Sequence, residues 1–97
     1  MSTLFIMSHA PHTDPGEASK LDLAREGDAV VLIEDAVYAA GPAPTPFTDA
    51  LDEVAERGVE ICALEPDVKA RGVTTELATV DYGGLVDLIA AHDRSVH

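Results

Sequence analysis

The sequence predicts an α/β fold: a mostly parallel sheet with helices on both faces. Two observations carry this. Short, wholly apolar runs alternate with segments of helical period, the pattern of strand–helix–strand units. The apolar runs do not alternate with polar residues, so both faces of those strands are expected to be buried. Ninety-seven residues suit one domain, residues 1–97, with no repeat and no linker to divide it.

The elements follow in order. Thr3–Ser8 ("TLFIMS") reads as a buried first strand, and "APHTDPG" as a loop. Between Glu17 and Glu26, Ala18, Leu21, Leu23 and Ala24 make a weak helical stripe that Gly27 stops. "DAVVLIED" is a second strand and "AGPAPTP" a loop. Thr45 is placed to cap a helix with Pro46 at its first position and Phe47, Leu51, Val54 and Ala55 on one face. Gly58 ends it, and "VEICAL" is a third strand. "EPDVKARG" is a short helix with Pro66 near its start and Gly72 after its end. A short strand around Leu77–Val80 leads to Asp81, placed to cap a last helix whose apolar face is Leu85, Leu88, Ile89 and Ala90 or Ala91. "RSVH" reads as a tail.

Composition excludes several functions. Eighteen Asp and Glu face six Lys and Arg, a formal charge of -12. The acids are spread rather than blocked, so the whole surface is expected to be acidic. This fits adaptation to high salt, where ions screen self-repulsion, or docking of a basic partner. The first is favoured because no single face stands out. Direct nucleic-acid binding needs clustered Lys and Arg and is not expected, nor is binding to anionic membranes. No run approaches the ~20 apolar residues of a membrane span. The single cysteine and the lack of a basic n-region point to a cytoplasmic protein.

In parallel sheets, ligands bind beyond the carboxyl ends of the strands. The loops there are Ser8–Gly16, Glu34–Thr45, Glu65–Asp67 and Asp81–Gly84. His9 and His12 form a weak metal candidate, since a loop His-x-x-His fixes no geometry and lacks further ligands. Cys62 is a weak nucleophile candidate, because it falls in a core strand where a thiol behaves as a small hydrophobe. Glu34 and Asp35 could in principle share acid–base work. As adjacent strand residues they point to opposite faces, with no His, Lys or Ser nearby in sequence. The Gly83–Gly84 pair reads as close packing at a turn rather than a phosphate cradle. No cofactor motif is present.

Three blocks carry a family resemblance: "EGDAVVLIEDAVYAA", "ALEPDVKARGV" and "VDYGGLVDLIAAHDRSVH". In this order and spacing they resemble the TusB/DsrH family. The resemblance implies a DsrE-like three-layer α/β/α sandwich, with a sheet of four to five strands, the fifth short or hidden in the loops. It also implies a non-catalytic subunit of a sulfur-relay complex, with TusC/DsrF-like and TusD/DsrE-like partners; the alternatives are a self-associating DsrE-like module that binds a small ligand at the carboxyl ends of the strands, or a sulfur carrier using Cys62. The relay hands persulfide sulfur between cysteines, towards tRNA wobble 2-thiouridine in one branch and sulfur oxidation in the other. Some members carry a cysteine in the first helix, where this chain has Lys20. Cys62 stands where members often have an aromatic or aliphatic residue, and Ser95–Val96–His97 replace a common terminal Trp. Asp35, Tyr38, Asp67, Arg71, Gly72, Asp81 and Tyr82 are therefore expected to shape turns and interfaces rather than catalyse. Asp35 would tie down its turn, Tyr38 would pack at the rim or against a neighbour, and Ala36, Ala39 and Ala40 would allow close approach.

Overall fold

The computed structural model describes residues 1–11 and 15–97. Five parallel strands form one sheet: β1 (Thr3–Met7), β2 (Ala29–Leu32), β3 (Glu60–Leu64), β4 (Ala78–Val80) and β5 (Arg94–Val96), in the order β4-β3-β2-β1-β5. Three α-helices connect them: α1 (Thr48–Glu56), α2 (Glu65–Ala70) and α3 (Tyr82–Ala91). Two 3-10 helices, Pro15–Leu23 and Glu34–Ala40, complete the set among the described residues.

The strand order explains the layering. From β1 to β4 the chain steps one place at a time in the same direction. Right-handed crossovers of that kind put every connecting segment on one face. The last crossover runs from β4 back past three strands to β5, so α3 lies on the opposite face. The packing follows suit. Phe5, Met7, Val30, Leu32 and Ala63 pack with Leu21, Val37, Phe47, Leu51, Val54 and Val68 from the two 3-10 helices, α1 and α2. Leu4, Ala29, Val31 and Cys62, on the other face, pack with half-buried Ile6, Ile33 and Val80 and with Leu85 and Leu88 of α3. The result is a three-layer sandwich with one thick and one thin outer layer.

Register follows from the apolar runs. Leu4 pairs with Ala29 and Met7 with Leu32, while Val31 pairs with Cys62. Asp28 secures the entry to this pairing: its Oδ1 accepts from the Thr3 N–H at 2.8 Å and its Oδ2 from the Arg25 N–H at 2.9 Å. Two bonds to a carboxylate compensate its burial.

Four local expectations are corrected. "RSVH" is not a tail: Arg94–Val96 pair in parallel with Thr3–Phe5, and Asp93 fastens the approach by accepting from the Ser2 N–H at 2.8 Å. The first helical segment is 3-10 rather than α and ends at Leu23. Residues after β2 form a 3-10 helix instead of an open loop, with Ala36, Val37, Ala39 and Ala40 buried. Finally, α1 starts at Thr48, because Thr45 and Thr48 bond reciprocally across Pro46 and Phe47. The Thr45 N–H donates to Thr48 Oγ1 at 2.8 Å and the Thr48 N–H donates to the Thr45 carbonyl at 3.0 Å, while Thr45 Oγ1 accepts from the Phe47 N–H at 3.1 Å. Phe47, Leu51 and Val54 face the core as expected, but Ala55 is exposed.

Candidate functional site

The carboxyl ends of β2 and β3 bring Glu34, Asp35, Tyr38, Asp67, Arg71 and Gly72 of the sequence reading together. Glu34 opens the 3-10 helix with φ 49°, a left-handed conformation uncommon for a residue with a side chain. Its N–H donates to Asp67 Oδ2 at 2.6 Å. Asp67 Oδ1 lies 3.7 Å from an Arg71 terminal nitrogen, and Arg71 Nε donates to Asp35 Oδ1 at 2.8 Å. The chain is thus tied from the end of β2 through α2 and back. The partner that Asp35 meets here is 36 positions away in sequence.

Electrostatics support the same description. The hydrogen bond to Asp35 raises the Arg71 pKa above its ordinary value. Desolvation opposes the rise, and the charges of Asp35 and Asp67 add to it. Arg71 is therefore a fixed cation, unsuited to proton transfer. Tyr38 is 46% exposed at the outer edge of this cluster. Ala36, Ala39 and Ala40 are buried inside the chain, so their smallness serves approach to its own sheet rather than to a neighbour. Gly72 takes φ 63° directly after Arg71, the left-handed stop that turns the chain out of α2. A groove of about 740 Å³ runs beside Ala40, Pro42, Pro44, Leu51 and Leu77. A smaller one lies between Tyr38, Pro44 and Arg71.

Asp81 and Tyr82 sit one strand over. Asp81 Oδ1 accepts from the Gly84 N–H at 2.7 Å, the cap expected for α3. Tyr82 projects into solvent at 61% exposure.

Cys62 lies under α3, 2% exposed among Leu4, Ala29 and Val31. Burial, with the Glu60 charge assisting, pushes its thiol pKa up from 9.0 to about 11. Almost no thiolate exists there at neutral pH.

One network escaped the sequence reading. The Glu17 side chain is only 1% exposed, with His9 Nδ1 at 2.9 Å and Lys20 Nζ at 3.2 Å. His97 Nε2 lies 3.2 Å from Ser8 Oγ, and Lys20 Nζ donates to the His97 carbonyl at 3.4 Å. His9 is thus engaged by a carboxylate, and its companion His12 lies outside the described residues. Among the described residues, no three His, Cys, Asp or Glu side chains group as a metal would require. The signal for this network lay in β5, which carries His97 to the carboxyl end of β1.

The family of DsrH-like proteins matches residues 9–95. The chain belongs to the DsrH-like family. Within it, Protein TusB of Pectobacterium parmentieri is 32% identical, covering 93% of this chain and 98% of that one. Protein TusB of Pectobacterium atrosepticum is 30% identical over the same shares. The DsrH-like chain also shares its fold with two solved structures. Protein Tm0979 of Thermotoga maritima has a TM-score of 0.65 at 22% identity, covering 91% of each chain. MTH1491 of Methanobacterium thermoautotrophicum, a protein of unknown function, has a TM-score of 0.69 at 16% identity, covering 98% of this chain and 97% of that one. Among the described residues no helix is long and apolar enough to cross a membrane.

Proposed function

We propose that this DsrH-like chain is a non-catalytic, scaffold subunit of a sulfur-relay complex of the TusBCD/DsrEFH type, supporting persulfide transfer for tRNA wobble 2-thiouridine synthesis. In such a relay an acceptor thiolate attacks the outer sulfur of a donor persulfide. A new S–S bond forms, the donor S–S bond breaks, and the donor leaves as a thiolate. The acceptor must therefore be exposed and readily deprotonated.

The observation that carries the reading is the state of Cys62, the one cysteine of the sequence. It is buried under α3 with its pKa raised to about 11. Where some relatives place a cysteine, Lys20 binds buried Glu17. The chain offers no ready sulfur acceptor, while its best-defined cluster, Asp35–Arg71–Asp67, is an internally paired scaffold. Its TusB relatives support the assignment to a relay.

The test is purification of the tagged chain from native cells at high salt, with partners identified and the complex mass measured. Two homologous small chains, one with a reactive cysteine, are expected. A strain lacking this chain should lose 2-thiouridine, and a Cys62→Ala copy should restore it. Restoration by the parent but not by a folded Cys62→Ala chain would overturn the scaffold role.

A further inference from the structure

The thin outer layer of the sandwich is chemically unlike the rest of the surface. No residue of α3 is fully buried. Leu85 and Leu88 turn towards the sheet, half-buried. Tyr82, Val86 and Ile89 remain 61%, 62% and 44% exposed. Their spacing, four and then three residues, lines them along one outer stripe. Asp87 is the only charged residue within Tyr82–Ala91. The surface helix α1, nine residues long, carries Asp49, Asp52, Glu53 and Glu56. In a chain with 18 acids, an outer helix face holding Tyr, Val and Ile is exceptional. Apolar stripes of this kind, rimmed by polar residues, mark protein contacts.

The rim identifies the occupant. Exposed Asp81, Asp87 and Asp93 lie at the start, the middle and just beyond the end of α3. A second copy of the chain would set these acids against themselves in a self-complementary contact, with -12 on each side. Like charges brought together across an interface oppose pairing. A surface with the opposite rim would be drawn to it.

We propose that the outer face of α3 docks a different protein chain, one presenting an apolar patch flanked by Lys and Arg. Tyr82, Val86 and Ile89 supply the apolar contact, and Asp81, Asp87 and Asp93 the charge that selects the partner. The inference deepens the subunit reading and rests on it for the existence of an assembly.

The test places a benzophenone photo-crosslinker at Val86 in the full chain, in its native host, with Asp52 on α1 as the comparison site. Joined peptides are sequenced after irradiation. The expected result is an adduct at position 86, absent at 52, to a peptide of another chain with Lys or Arg beside apolar residues. Ile89→Glu and Asp87→Lys should each lower its yield by roughly tenfold or more, the scale of a 1.4 kcal/mol loss. An adduct only to a second copy, equal adducts at both sites, no adduct at 86, or indifference to Asp87→Lys overturns the proposal. The two readings separate in the same strains. Intact 2-thiouridine dependence with a silent position 86 refutes the docking face alone. A basic-rimmed adduct in cells whose 2-thiouridine does not depend on this chain refutes the relay role alone.

Discussion

Arg71 and Asp35 are joined by a 2.8 Å hydrogen bond that ties the end of α2 to the segment leaving β2. Asp67, which also holds the Glu34 N–H, stands 3.7 Å from the same guanidinium. Arg71→Ala is expected to lower the thermal midpoint, and adding Asp35→Asn should lower it little further. Arg71→Lys should recover only part, since lysine lacks the planar fork. Because Asp35 is solvated, the coupling should shrink with added salt. The raised Arg71 pKa leaves its stabilisation intact at every pH below the ordinary arginine value, to be lost only at more alkaline pH. A double-mutant cycle followed by thermal melts checks all of this.

Cys62 should resist alkylation in the native protein at neutral pH and react quickly once unfolded. Its folded pKa, about 11, exceeds the ordinary 9.0, so the folded state keeps its proton where the unfolded state loses it. Stability is therefore expected to fall as pH rises from 9.0 through about 11, and Cys62→Ala should flatten that decline. Cys62→Ser, which buries a hydroxyl among Leu4, Ala29 and Val31, should cost about 1–3 kcal/mol. Urea titrations across this pH range provide the measurement.

Asp28 holds two backbone N–H groups, those of Thr3 and Arg25. Asp28→Ala leaves both without that acceptor and should cost about 2–4 kcal/mol. The loss should appear as faster amide exchange at Thr3.

Asp81→Ala removes the cap of α3 and should cost about 0.5–2 kcal/mol. Asp81→Ser or Asp81→Asn should recover most of it. Amide exchange at Gly84 reads the change locally.

The legible part of the fold was the part written locally. β1, β2 and β3 stood out because burial on both faces leaves an almost continuous apolar run, broken only at the entries by Thr3 and Glu60. Asp81 stood out because a cap and its helix are neighbours in sequence. β5 was hidden because an edge strand of three residues need bury little: Val96 is half-buried, and Arg94 and Ser95 are exposed. The 3-10 helix Glu34–Ala40 was hidden because its alanines and valine carry no helical stripe long enough to detect. The candidate site divided in the same way. Its residues were named from resemblance, but the Asp35–Arg71 bond spans 36 positions and no local pattern encodes it. Glu17 was invisible as a buried group because the i,i+3 spacing to Lys20 reads as an ordinary surface pair, and only the fold brings His9 to its other oxygen.

The place of β5 also governs how the molecule is assembled in time. Its partner β1 is made first and gains β2 as its neighbour soon after, yet its other edge waits for a strand more than 90 positions along the chain. Until then that edge displays unpaired backbone groups, and the sheet face that α3 will cover lies bare. Closing so long a loop is entropically slow and favours late folding. Such an intermediate can accept strands from other chains. The dense negative charge of the chain opposes such pairing wherever salt does not screen it.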